Sequence, residues 1–186
     1  MLEDEIKYIK DAQKGNKKAF GVLYNHYLPK IYRFVFLKVS SKSSAEDLSH
    51  EVFLNAWKNI NSYVHREFPF SSWLYQLARN EVIDFYRTTK KNISLEDILE
   101  EPPDTKIDEG KIIDSKLNIE KIKSLIPRLS QNQQDVLIMR FVEDLSPEEI
   151  AAIIGKSVGA VRLIQHRALN SLKQLYGKNN RDIKTT

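Results

Sequence analysis

The stretch that most limits what this chain can become is residues 145–169, LSPEEIAAIIGKSVGAVRLIQHRAL. It predicts two short helices joined by a tight turn. Ser146 can cap the first, its hydroxyl accepting an amide proton two or three residues on, and Glu149 stands where a capping box requires it. Pro147 at the first helical position loses nothing, because its missing N–H would have had no partner. Ile150, Ala151 and Ile154 give an apolar face, and Gly155 supplies the stop. Ser157 can cap a second helix that turns Val158, Val161, Ile164 and Ala168 inward. Its outward face carries Arg162, Gln165, His166 and Arg167. This is a helix-turn-helix whose second helix is basic and rich in hydrogen-bonding groups, a shape that fits a DNA major groove. An ordinary helical hairpin with solvated charges would share the pattern, so the rest of the chain has to decide.

Composition narrows the setting. The chain has no cysteine, which excludes disulfides, zinc fingers and thiol chemistry and fits a reducing compartment. The start, MLEDEIKYIK, is charged throughout and unlike a signal peptide, and no run approaches the roughly 18 apolar residues of a membrane span. A soluble cytoplasmic protein without membrane insertion is expected. A net charge of +4 and a pI near 9.1 are compatible with a nucleic-acid partner. Only six glycines and six prolines, with apolar residues at helical spacing, predict an all-α protein. Its 186 residues suit one or two domains.

In chain order, residues 2–14 predict a helix ended by Gly15. Asn16 can cap a second, with Phe20, Leu23, Tyr24 and Tyr27 as its apolar stripe. Pro29 is expected to start a third over Lys30–Val39, and these aromatics read as core. In SSAEDLSHEVFLNAWKNI, Ser43 or Ser44 is the expected cap, with Glu46 and Asp47 in the first turn. Ala45, Leu48, Val52, Ala56 and Ile60 form its buried stripe. The opposite face carries Asp47, His50, Glu51 and Asn55, edged by Phe53 and Trp57. A polar face bordered by large aromatics suggests a partner surface, unless those rings pack on neighbouring helices.

After SYVHREFPF, the helix SSWLYQLARNEVIDFYRTTKK has Ser71 or Ser72 as its cap and turns Leu74, Leu77, Ala78 and Phe85 inward. Arg79, Asn80, Asp84, Arg87, Lys90 and Lys91 align along one side, with Tyr75, Tyr86, Phe68 and Phe70 close by. Cations for phosphates and rings for unstacked bases suit a single or opening nucleic-acid strand. The blander reading is a solvated basic face with Asp84 paired to Arg87.

From Thr88 to about Asp114 the periodicity fails. EDILEEPPDTKIDEG is acidic, contains Pro102 and Pro103, and predicts a flexible linker with at most one helical turn near Leu95–Leu99. Beyond it, Ile119, Ile122, Leu125 and Ile126 predict a helix ended by Pro127. Ser130 caps the next, with Val136, Leu137, Met139, Arg140 and Phe141 ahead of the helix-turn-helix. The segment after Tyr176 is expected to fray. The architecture expected is therefore two small helical domains, 1–91 and 114–177, joined by the linker 92–113 and followed by a tail, 178–186. Four scattered histidines (His26, His50, His65, His166) and no glycine-rich phosphate loop offer no catalytic, metal or cofactor site. An enzyme is not expected.

The order AEDLSHEVFLNAW, SSWLYQLARNEVIDFYR, acidic linker, IPRLSQNQQDVLIMRFVEDLSPEEIAAIIGKSVGAVRLIQHRAL resembles the bacterial RNA polymerase sigma factors over roughly residues 5–175. The layout of two helical domains is similar to the extracytoplasmic-function group. The resemblance implies a promoter-recognition subunit that binds core RNA polymerase, through its β′ coiled coil and β subunit, and directs initiation. Asp47, His50, Glu51, Phe53 and Trp57 would contact the polymerase. Arg79, Asn80, Asp84, Arg87 and Lys90, with Phe68 and Phe70 in a base-holding loop, would open the −10 element and hold the non-template strand. Trp73 would belong to the core. Ser157, Gly159, Arg162, Leu163, His166 and Arg167 would read double-stranded DNA at the −35 element. Gly159 would allow a close approach of the helix start to phosphates. An anti-sigma factor would be a further partner.

The chain departs from the family where His50 replaces a frequent Gln, Ala160 a frequent Thr, and Leu163 and Ile164 a short polar or basic pair. Leu163 would touch a thymine methyl, or turn inward if the helix is rotated slightly. The rival reading is a stand-alone helix-turn-helix regulator of duplex DNA, with residues 1–90 for sensing or dimerisation.

Overall fold

Helix α1 (Glu5–Gln13) stops where Gly15 adopts a left-handed φ of +87°, which glycine tolerates without steric penalty. Asn16 caps α2 (Lys17–Val39), accepting from the amides of Lys18 and Ala19 at 3.0 and 3.2 Å. The break expected at Pro29 is absent: α2 runs straight through it. A proline inside a helix removes one backbone hydrogen bond and crowds the preceding turn. Yet Leu23 and Tyr27 before it share one buried stripe with Ile31, Phe34 and Val35 after it, and burial of that continuous stripe outweighs the local defect.

Helix α3 (Lys42–Asn59) is capped by Ser41, whose Oγ accepts from the Ser44 amide at 3.3 Å, not by Ser43 or Ser44. Ser40 turns the chain in a left-handed conformation, so α3 starts earlier than expected and Glu46 and Asp47 fall beyond its first turn. A short 3-10 turn, Ile60–Ser62, leads towards α4 (Phe70–Asn92). This helix begins before Ser71 and Ser72 and continues past Thr88. There the hydroxyls of Thr88 and Thr89 donate back to the carbonyls of Asp84 and Phe85 at 2.8–2.9 Å, satisfied within the helix.

These observations come from a computed structural model that describes residues 2–64, 68–92 and 121–182. Asn92, expected to begin the linker, still belongs to α4; residues 93–113, with the turn near Leu95–Leu99, and Ile119 lie outside the described residues. Residues 121–125 are helical and pass into a 3-10 turn, Ile126–Arg128. Then follow α5 (Gln131–Phe141), α6 (Pro147–Ile154) and α7 (Val158–Asp182). The expected capping box of Ser146 with Glu149 forms, Ser130 caps α5 in a second box with Gln133 that the sequence reading did not name, and Gly155 ends α6 at φ +65°. Helix α7 continues beyond Tyr176, where a frayed tail was expected. Among the described residues the chain is all-helical, and no helix is long and apolar enough to cross a membrane.

The two helical groups share a core. Helices α1–α4 pack around α2, and α5 and α6 pack on α7; in addition α4 meets α6 and α2 meets α5. Ile126, Val136, Ile138, Met139, Ile150 and Ile153 belong to the same apolar cluster as Leu23, Phe34 and Leu74. Polar contacts cross the same seam and converge on two carboxylates. Asp135, fully buried, accepts from the buried ammonium of Lys38 and from Arg79 Nε at 2.8 Å. Glu143 accepts from Arg33 at 2.7 and 2.9 Å and from the Tyr75 hydroxyl at 2.7 Å. Burial pushes the Lys38 ammonium down from the usual lysine range, and the Asp135 carboxylate opposes that shift.

Candidate partner and nucleic-acid interfaces

On α3, Asp47, His50 and Glu51 are exposed together, while Asn55 is half-buried and donates to Glu81 at 3.1 Å. The aromatic edge is not free surface. Phe53 is buried edge-on against Tyr24, with ring centroids 4.8 Å apart, and Trp57 leans on Phe20 at 5.0 Å. These rings line an open groove of about 350 Å³, together with His50 and Leu54. Leu54 is 49% exposed, an apolar side chain standing on a polar face beside an apolar groove. The sequence reading missed it, although Asp47, His50, Glu51 and Leu54 recur at spacings of three and four. Phe20 and Tyr24 arrive from α2, which no periodicity within α3 reveals.

Along α4, Asn80, Asp84 and Arg87 are exposed, and Asp84 pairs with Arg87 at 3.1 Å as the blander reading anticipated. Arg79 is set apart from them. Its Nε is bound to Asp135, and its Nη2 donates to Asn132 Oδ1 at 3.1 Å. The side chains of Lys90 and Lys91 lie outside the described residues. Tyr75, expected beside the basic stripe, is instead buried, and burial together with the Glu143 carboxylate pushes its phenol up. Phe70 is fully buried with its ring against Tyr27, Tyr63 and Trp73. It therefore cannot hold a base without unpacking the core. Phe68 is 48% exposed, and its carbonyl accepts from the Tyr63 hydroxyl at 2.7 Å.

Tyr63, Phe68, Ser72, Trp73 and Gln76, with Ser62 and Val64, line a cavity of about 150 Å³ that Ala152 and Ile153 of α6 also wall. The Ser72 hydroxyl is buried there with no hydrogen-bond partner among the described residues. Trp73, read from sequence as core, thus packs on Phe70 with one side and faces this cavity with another.

The outer side of α7 is open. Ser157, Gly159, Arg162, Leu163, His166 and Arg167 are all exposed, while Val161 and Ala168 are buried beneath. Leu163 is 49% exposed, so the helix is set with this side chain outward. Ser157 Oγ accepts from the Ala160 amide at 3.2 Å, anchoring the helix start. Gly159 has open space where a Cβ would stand, so packing does not require glycine there. Arg162 lies 4.0 Å from Glu148, both exposed, too weak a pairing to withhold the guanidinium from another partner.

Comparison with known proteins matches these two helical groups separately. The family model for sigma-70 region 2 matches residues 23–92, and that for sigma-70 region 4 matches residues 125–174. The chain is 31% identical over 172 residues to the extracytoplasmic-function (ECF) RNA polymerase sigma factor BldN of Streptomyces coelicolor, covering 91% of this chain and 65% of that one. To the ECF RNA polymerase sigma factor SigW of Bacillus subtilis it is 28% identical over 179 residues, covering 90% and 94%. Among solved structures, CnrH in complex with the cytosolic domain of CnrY has the same fold, with a TM-score of 0.71 and 22% identity over 94% of this chain and 97% of that one. RpoE of Bartonella quintana, solved with the anti-sigma factor NepR, matches with a TM-score of 0.66 and 23% identity over 86% and 98%.

Proposed function

The chain belongs to the ECF group of the sigma-70 family of RNA polymerase sigma factors, and from that premise we propose how its surfaces divide the work of initiation. Core polymerase binds α3 through Asp47, His50 and Glu51, with Leu54 entering the contact and Phe53 and Trp57 supporting the groove beneath. The −10 element is opened along α4 by Arg79, Asn80, Asp84, Arg87 and Lys90. The cavity beside Phe68 takes an unstacked base, where Trp73 offers a ring and Ser72 and Gln76 offer hydrogen bonds. Phe70 has no direct part in this. The −35 element is read by Ser157, Gly159, Arg162, Leu163, His166 and Arg167, with Leu163 presented to a thymine methyl. Residues 1–91 carry the polymerase and −10 contacts and residues 114–177 the −35 contact, joined by 92–113.

The partners are core RNA polymerase, promoter DNA and an anti-sigma factor that would cover the same surfaces. The role contains no catalytic step of its own and is carried out in the cytoplasm. One observation carries the reading: two sigma-70 regions occur in order, and each coincides with a helix whose exposed face has the chemistry its role requires. A stand-alone duplex-DNA regulator would give no reason for the acidic, groove-bearing face of α3.

The test is a pull-down of purified bacterial core RNA polymerase, followed by run-off transcription from a genomic library. Stable binding with a small set of shared start sites is expected. No binding to core, with duplex DNA still shifted in a gel, would replace this reading with the stand-alone regulator. Asp47→Arg is expected to weaken core binding without loss of helicity, and unchanged affinity would remove α3 from the interface.

A further inference from the structure

We propose that Gln13, the last residue of α1, is a positioning residue for strand opening: it holds Tyr63 so that this side chain sets Trp73 and Phe68 around the cavity offered to an unstacked base. This rests on the base-holding role given to that cavity above, and the test below separates the failure of one from the failure of the other.

Helix α1 ends against the 3-10 turn that follows α3. The side-chain amide of Gln13 carries two N–H donors, and both are used there. Nε2 donates to the Ile60 carbonyl at 3.1 Å and to the Tyr63 carbonyl at 3.0 Å. The turn itself closes through the Tyr63 amide, which donates to the Ile60 carbonyl at 3.2 Å. Gln13 therefore grips both residues that this backbone bond joins. It does so from 47 and 50 positions away in sequence, so the grip depends on α1 being packed in place.

What Gln13 holds reaches the cavity through one side chain. The buried ring of Tyr63 lies edge-on to Phe70 at 5.2 Å and leans on Trp73 at 5.4 Å, and its hydroxyl donates to the Phe68 carbonyl at 2.7 Å. Burial, with the Glu5 carboxylate, pushes the Tyr63 phenol up to about 12, so the hydroxyl keeps the proton it donates at neutral pH. Tyr63, Phe68 and Trp73 all line the cavity, whereas Gln13 does not. A binding site works only while its rings and polar groups are held within about 0.5 Å by supporting side chains. Gln13 supplies that support from behind. An ordinary cap of a 3-10 turn would make the same two bonds but would matter to stability alone, and the two roles differ in how they couple to the base.

The test uses holoenzyme reconstituted from purified core RNA polymerase and the full chain, on a promoter mapped by the run-off experiment, with opening read as permanganate reactivity of the −10 thymines. Gln13→Leu removes both donors and should lower the ratio of open to closed promoter about tenfold, the effect of one or two hydrogen bonds, with core affinity unchanged. Gln13→Lys, whose ammonium donates again, should recover most of the loss. Non-template strands with one −10 base replaced by an abasic site then locate the effect. At one position the parent should lose opening, and there Gln13→Leu should lose nothing more, because two changes acting on one contact do not add. If Gln13→Leu loses as much again at that position, Gln13 is an ordinary cap and the positioning role is overturned. Normal opening by Gln13→Leu, or no recovery with Gln13→Lys, overturns it as well. A parent insensitive to every abasic position would remove the base-holding role of the cavity, and the positioning role with it. If Gln13→Leu loses helicity, Gln13→Glu decides on the same terms, its carboxylate keeping the length but accepting where the amide donated.

Discussion

Phe68 and Phe70 stand two residues apart, read alike from the sequence as ring donors in a base-holding loop, and the fold gives them opposite fates. Phe70 opens α4, and with Leu74, Ala78 and Val82 it forms a row at intervals of four, each fully buried. That row was legible in principle; it was hidden by placing the helix start at Ser71 or Ser72, one step too late. Phe68 precedes the helix and stays exposed. Phe70→Ala should therefore lower stability by about 3–5 kcal/mol, as an emptied aromatic site in a packed core does. Phe68→Ala should change it by no more than about 0.5 kcal/mol while reducing promoter opening. Urea unfolding and permanganate reactivity of the −10 thymines separate the two effects. A Phe68→Ala chain that opens promoters normally would remove it from the base-holding site. Tyr75 carries the same lesson, because its hydroxyl looked like a surface group until Glu143, 68 residues away, supplied a buried acceptor.

At the scale of elements, what could be read was what four or five consecutive residues decide. The boxes Ser146–Glu149 and Ser130–Gln133 close on themselves, and Asn16, Gly15 and Gly155 act on their immediate neighbours. Pro29 misled because its local penalty was visible and the buried stripe that overrides it was not. Ser41 misled because three nearby serines offer the same chemistry, and the preceding turn chose among them. The setting of α7 follows from its buried side, Val161 and Ala168, which commits Arg162 and Leu163 to the outside. Ser146→Ala should lower stability by about 1 kcal/mol, measured by thermal unfolding, since it leaves orphan amides at the start of α6. Arg162→Ala should weaken promoter binding by about 1–3 kcal/mol if the guanidinium meets a base edge, and should instead flatten the salt dependence if it meets a phosphate. Binding that matches the parent at every salt concentration would exclude both contacts.

At the scale of the whole molecule, the two-part layout was legible because each part has its own periodicity, but the seam was not. Its contacts join residues as far apart as Arg33 and Glu143, 110 positions, or Lys38 and Asp135, 97. In sequence, Lys38 is an unremarkable basic residue in the last turn of a helix, where the dipole alone explains it. The seam has a consequence for cooperativity. Residues 121–182 are few enough that, alone, they would bury a small fraction of their surface, and Ile138, Met139, Ile150 and Ile153 draw their burial from the shared cluster. While the seam is closed, neither group should melt before the other. Trp73 faces Ala152 and Ile153 across the seam, so in a Trp73→Phe background the fluorescence of Trp57, which leans on Phe20, follows the first group, whereas far-UV circular dichroism follows all helices. In urea the two signals should trace one curve for the parent chain. Asp135→Ala leaves the Lys38 ammonium buried without its carboxylate, which penalises the closed seam. In that variant helicity should begin to fall at lower urea, with the fluorescence curve lagging behind, because the later helices have lost the surface that completed their core. Superimposed curves in that variant would mean that the second group stands by itself and that closure contributes nothing to holding it folded.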